Sequence, residues 1–220
     1  MTIQRQIAVY KKPAQQDPLN MSGYRTQKPG SPEDFYQPLF DRVNYAAAGT
    51  SECNFFSAPL GASVTLIRAG ATGTFNKTNR DTNIETPNVV PGKEFKIMGL
   101  SVGFVHEDEG EKANPIDRDK IRNGGYIKWM MGDKLIMTVP LMLLPESNPN
   151  VIASTTANDT TVLGAAGGGG PGTKMYSLGV PITLAPFQAF TIKAIFDGTV
   201  TTAKAVDIYM FLHAYMRRPG

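Results

Sequence analysis

Cysteine is almost absent from this 220-residue chain, where Cys53 stands alone. No intrachain disulfide can form, and folding in a reducing cytoplasm is expected. Histidine is nearly as scarce, with only His106 and His213. A metal site of the multi-histidine kind needs several imidazoles and a carboxylate, some closely spaced, and this pair cannot supply it. No Gly-x-Ser-x-Gly occurs, so the nucleophile elbow of a serine hydrolase is missing. Long hydrophobic runs are missing too. The longest, Leu135 to Leu144, contains Thr138 and Pro140 and is too short to cross a bilayer. The opening MTIQRQIAVYKK lacks the apolar centre of a secretory signal, so the sequons at Asn20, Asn76 and Asn158 are given no role. Charge of one sign is not in excess: the net charge is +3, and charged residues make up 19% of the chain. That balance argues against nucleic-acid binding by the whole chain. Together these scarcities predict a non-enzyme without cofactor, metal site or small-molecule substrate.

Glycine and proline are plentiful, at 22 and 16 residues, and they punctuate apolar runs as turns do. The first thirty residues hold Arg5, Lys11, Lys12, Arg25 and Lys28 against only Asp17, together with Pro13, Pro18 and Pro29. This segment, 1–30, reads as an extended basic arm. It is expected to lie on a neighbouring subunit or an adjacent inner layer, with weaker, salt-sensitive contact to nucleic acid or an inner membrane as a variant. Ser31-Pro32-Glu33-Asp34 carries a helix cap, a first-turn proline and acids, predicting one or two short helical turns between Pro32 and Tyr45.

Strands dominate thereafter. Short ones are expected at Cys53–Ser57 and Ser63–Arg68, with 70–92 as a long loop. In Lys93–Val105 the apolar residues Met98, Leu100, Val102 and Phe104 form one face. Small residues at Gly99, Ser101 and Gly103 on the other allow a close approach. Asn114-Pro115 and Gly124-Gly125 bracket a short helix. Tyr126–Met131 and Lys134–Leu144 flank Gly132-Asp133, a pair suited to a type II′ turn. Ile127, Trp129 and Met131 share one face of that hairpin, and Leu135, Met137, Val139 and Leu141 share another. A glycine-rich loop lies within 145–174; it lacks the order of a phosphate loop and precedes a strand. Three strands close the chain at Met175–Leu184, Phe187–Phe196 and Ala205–Met216. About eight strands without βαβ alternation predict an all-β, two-sheet antiparallel sandwich of jelly-roll type over 31–220. Its core is expected to include Met98, Leu100, Val102, Phe104, Trp129, Phe190, Ile192 and Phe196.

The final strand is the candidate interface. Val206, Ile208, Met210, Leu212, Ala214 and Met216 make one apolar face, while Tyr209, Phe211, His213 and Tyr215 lie opposite. Aromatic surface of that extent calls for a cover: a neighbouring subunit, or a loop or arm of the same chain. Tyr209, Phe211 and Tyr215 are therefore expected to support oligomerisation. The acids Glu107, Asp108, Glu109 and Glu111 fit no calcium loop and read as a solvated charged loop, with a metal bridging subunits as the alternative.

The runs FNKTNRDTNIETPNVVPGKEFKIMGLSVGF, GGYIKWMMGDKLIMTVPLMLLP and GVPITLAPFQAFTIKAIF, with the closing DIYMFLHAYMRR, resemble structural proteins of icosahedral phages, the single jelly-roll capsid proteins above all. The likeness spans about residues 75–217 and is one of pattern, with no diagnostic motif. It implies a shell-forming subunit associated in trimers or pentamers and with other capsid proteins. It also implies an arm reaching neighbours and assembly in the host cytoplasm into a virion. A minor capsid or decoration protein fits equally. The rival is a carbohydrate- or receptor-binding sandwich, which would need an exposed aromatic platform. Trp129 sits in an apolar strand and is expected in the core instead.

Overall fold

The computed structural model describes residues 33–106, 115–146, 175–198 and 200–218. The chain is mostly β, with antiparallel sheets in a sandwich-like arrangement and one short α-helix among these residues. The two longest alternating runs of the sequence become its two longest strands. They are β6 (Glu94–His106) and β11 (Val206–Arg218), and they pair antiparallel. On β11 all six apolar residues from Val206 to Met216 are buried in one row. On β6 the row changes phase. Phe95 and Ile97 point inward, then Leu100, Val102 and Phe104 do, with a register shift between Ile97 and Gly99.

Met98 is the extra residue of that β-bulge and is only half-buried, which corrects its expected place in the core. Without the bulge, either Phe95 and Ile97 or the three later residues would face outward. Each large apolar side chain contributes about 1.5–3 kcal/mol when buried, so keeping all five inside outweighs the local break in the ladder.

Two strands lie end to end along the other edge of β11. They are β1 (Glu33–Tyr36) and β2 (Leu39–Tyr45), joined across Pro38 by Gln37 N–H donating to the Ala214 carbonyl. The cap signal at Ser31–Asp34 therefore does not produce the expected helical turns from residue 33 onward. Here β11 offers a free hydrogen-bonding edge, and Phe35 and Leu39 can pack on the core. Tertiary pairing overrides a local signal worth about 1 kcal/mol. The outer neighbour of β6 is β9 (Tyr176–Leu184).

The second sheet runs β3 (Glu52–Phe55), β10 (Thr191–Phe196), β7 (Gly125–Met131), β8 (Lys134–Pro140). Trp129, Ile127, Ile192 and Phe196 are buried from it, and Phe196 meets Tyr45 of the first sheet edge-on at 4.9 Å. Phe190 packs on Phe56 just before β10 begins. The β7–β8 turn is the expected two-residue loop, with Gly132 at φ +57°. A bulge near Met130 breaks the alternation on β8. Val139 is buried and Met137 partly so, while Leu135 is exposed, so these residues do not form the single covered face expected of them. The helix α1 (Pro115–Gly124) lies where its flanking signals put it, held by Arg122 bonding Glu146 and the carbonyls of Met142 and Leu144.

The expected long loop 70–92 needs correction as well. Its first part is β5 (Ala71–Asn76), paired with β4 (Ser63–Arg68) in a separate two-stranded sheet. The pairings of the main sheets are nested. β1 and β2, as one interrupted strand, pair with β11, β3 with β10, β6 with β9, and β7 with β8. With β4 and β5 the strands among the described residues number eleven, against the eight or so expected.

Candidate assembly face

Side chains alternate along a strand, so the residues of β11 between its buried ones must leave the sandwich on the opposite side. Tyr209, Phe211, His213 and Tyr215 form that row. Cross-strand partners share a face. Arg42 and Phe40 of β2 and Tyr36 of β1 join it from one side, and Gly103, Ser101 and Gly99 of β6 from the other. Gly103 lies against the rings: a Cβ added there would sit in ordinary contact, 3.4 Å from the Phe211 ring and 3.5 Å from Tyr209 Cβ.

The rings touch in series. Arg42 lies over Tyr209 at 5.2 Å, Tyr209 stacks on Phe211 at 5.7 Å, and Phe211 meets Phe40 at 6.2 Å. Further along, Tyr36 stacks on His213 at 6.2 Å and meets Tyr215 edge-on at 6.1 Å. Arg217, bonded to Asp34 and ion-paired with Glu94, ends the row. Tyr209 and Phe211 are partly covered by their own chain, whereas Tyr36 keeps 52% of its surface open and Tyr215 45%.

His213 is buried within this open row. Its Nδ1 lies 2.6 Å from the Tyr36 hydroxyl and its Nε2 2.7 Å from the Ser101 hydroxyl. Burial pushes its imidazole below the usual range. His106 is far off at the other end of β6, seven residues from the Gly99 that faces His213, or roughly 23 Å at strand rise. Cys53 is buried, and burial pushes its thiol up to about 12. The two histidines thus do not converge. Trp129 is fully buried, so it forms no platform for a sugar. The arm residues Arg5, Lys11, Lys12, Arg25 and Lys28 lie outside the described residues, as do the acids 107–111 and the glycine-rich stretch.

No family model matches this chain, and no curated protein does. The chemistry of the surface has to speak for it.

Next to the aromatic row is a buried charge lattice that sequence reasoning missed. Asp207 accepts from Arg42 Nε at 2.7 Å, Asn44 at 2.6 Å and the Ile67 amide at 2.8 Å. Asp81 takes Arg42 and Arg68, and Asp41 takes Lys77 and the Phe56 amide. Burial would raise the Asp81 carboxyl. Donation from Thr78 and the charges of Arg68 and Arg42 outweigh it and hold the group below its usual range. Three cationic side chains meet three carboxyl groups, and burial raises the Asp207 and Asp41 carboxyls against the pull of Arg42 and Lys77. The lattice fastens the β4–β5 hairpin to β2 and β11. A cleft of about 410 Å³ opens beside it, lined by Arg42, Asn44, Thr50, Ser57, Thr65 and Lys77 among others. Both of its cations are already bound to carboxylates. The signal was present in the sequence as Asp41-Arg42 and Asp207 inside otherwise apolar runs.

Proposed function

We propose that the chain is a virion structural protein, a self-assembling jelly-roll capsid subunit of an icosahedral phage. The observation that carries this reading is the nested strand pairing. With β1 and β2 taken as one strand and the β4–β5 hairpin set aside, eight strands remain. First pairs with eighth, second with seventh, third with sixth and fourth with fifth. That is the order of one long hairpin rolled into two sheets, as in a jelly roll with its two Greek keys.

The half-open aromatic row supports assembly, because such surface is enriched at protein interfaces and rare on solvent-facing strands. Its end carries Arg217 beside Asp34 and Glu94, so another copy of the chain meets both signs of charge there. In this reading Tyr209, Phe211 and Tyr215 face a neighbour in a trimer or pentamer, and the arm 1–30 reaches an adjacent subunit or an inner layer.

Light scattering and electron microscopy of the purified chain over a concentration series test the proposal. Closed rings or shells that grow with concentration are expected. A monomer at every concentration refutes assembly, and glycan-array binding by that monomer would favour the receptor-binding rival. Deleting residues 1–30 should leave the sandwich folded and impair assembly; normal assembly of the truncated chain removes the arm from the proposal. Tyr215→Ser should weaken assembly with little change in melting temperature. Phe211→Ala should lower both, since Phe211 also packs on Phe40 and Tyr209. Loss of stability alone in Phe211→Ala would assign that ring to the fold and not to the contact. Copy number in purified virions separates a major from a minor capsid role.

A further inference from the structure

We propose that contact between copies across this face is acid-sensitive, with His213 as the switch. The inference rests on the assembly reading and adds its regulation. The ring is 7% exposed and lies between two half-open tyrosines, at the level where a docking partner would close over it. A neutral imidazole suits its two hydroxyl neighbours, accepting from one and donating to the other. Protonation makes it a donor at both nitrogens and places a full charge among Tyr36, Phe211 and Tyr215.

The groups packed around it do not offset that charge. From β11 these are Phe211 and Tyr215, from β1 Tyr36, from β6 Gly99 and Ser101, and from the β9 side Met175 and Tyr176 behind Gly99. The nearest charged positions are Lys96, opposite Tyr215, and then, equally far along β11 in the two directions, Arg42 opposite Tyr209, already paired with Asp81 and Asp207, and Arg217 with Asp34 and Glu94 opposite it. Arg217 already occupies the latter two acids. Solvent reaching the row through the open tyrosines is what eases the charge in the free subunit, and a partner removes that solvent. Protons therefore bind the separated subunits in preference to the assembled ones.

Sedimentation velocity from about pH 8 to about pH 5 spans the ordinary histidine pKa of about 6.5. The association constant of the wild-type chain should fall as pH drops, by up to roughly tenfold per pH unit for each histidine the contact buries. His213→Gln should flatten that slope, whatever its affinity at the alkaline end. His106→Gln should keep it, since His106 lies at the far end of β6. Tyr36→Phe provides an independent variant. It removes one acceptor of the protonated ring and should alter the pH at which the contact weakens. Circular dichroism at each pH confirms that the subunits stay folded. A wild-type association constant that does not change with pH, or an unchanged slope in His213→Gln, overturns the switch and leaves assembly standing. If His213→Gln does not fold, an unchanged profile in Tyr36→Phe overturns it in the same way. Absence of oligomers at every pH overturns the switch and the assembly reading together.

Discussion

Replacing Asp207 by Asn keeps the side-chain shape and removes one negative charge from a site with no solvent access. The Asp207 carboxylate has three hydrogen-bond donors, and Arg42 NH2 also stands 2.6 Å from it. An amide offers one acceptor oxygen in place of two and turns an NH2 group toward donors. Arg42, 5% exposed, is left with Asp81 at 3.3 Å, the Tyr209 hydroxyl at 3.1 Å and the Ile67 carbonyl. Removing one member of a buried ion pair costs about 3–5 kcal/mol. The remaining Asp81 contact puts the expected loss at the low end, about 3 kcal/mol. At a urea slope of about 2 kcal/mol per molar, the unfolding midpoint should fall by about 1.5 M. Adding Arg42→Met to Asp207→Asn should cost less than the two single changes summed, by more than about 1 kcal/mol, because the stranded cation is gone. Amide exchange localises the effect: the Ile67 N–H, which donates to Asp207, should lose protection before the β6–β11 ladder does. An Ile67 amide as protected as in the wild type, or a midpoint shift below about 0.3 M, would refute the claim that this lattice holds the hairpin.

Gly99→Ala places a Cβ 2.6 Å from the Tyr176 carbonyl oxygen and 2.8 Å from Met175 Sδ, and backbone cannot yield as a side chain can. A loss of about 1–3 kcal/mol, seen as a melting point lower by roughly 3–10 °C, is expected, and an unchanged melting point contradicts the contact. Cys53, with its thiol pushed up to about 12, should resist thiol reagents at neutral pH and react only as fast as the chain opens. Prompt stoichiometric labelling of the native chain would contradict its burial. Asp81 is held below its usual range, so its contribution to stability is full above the unfolded value of about 3.9 and is lost as pH falls through the lower folded value. His106 and His213, both pushed down by burial, act earlier: stability falls as pH drops below about 6.5 toward their folded values. Urea midpoints measured from neutral to strongly acid pH should therefore decline in two stages, and Asp81→Asn should shrink the lower one, to which Asp34 and Glu52, also held low by their hydrogen bonds, contribute.

Strands with one buried face were legible because period two leaves a mark in the residues themselves. The row from Val206 to Met216 and the hairpin around Gly132-Asp133 are of this kind, and α1 was marked by its flanking Pro, Asn and Gly. The strand β5 left no such mark: most of its residues are exposed, so Ala71–Asn76 carries the Thr, Gly and Asn of a loop. Met98 misled for a different reason. A bulge conserves burial by shifting phase, and the apolar Met98-Leu100-Val102 spacing looks unbroken on paper. Arg42, Asp81 and Asp207 come from distant segments: pairing of β2 with β11 brings Arg42 to Asp207, and a bridge between Asp41 and Thr82 brings in Asp81. The aromatic row was readable on β11, but its extension by Tyr36 and Phe40 depends on which strands become neighbours, which local sequence does not encode.

Nested pairing also has a temporal side. Gly132-Asp133 closes a two-residue loop, whereas Tyr36 opposite Tyr215 would close one of nearly the whole domain if formed alone. Loop-closure cost grows with the free length of chain between the contacts. Once β7 and β8 have met, β6 and β9 are brought closer, and β3 with β10 and β2 with β11 follow in turn. The molecule behaves as a zipper whose slider starts at the turn and whose last teeth are β1 and the end of β11. By the same loop-closure argument, the half-open end of the aromatic row is expected to be completed last, after the core has closed.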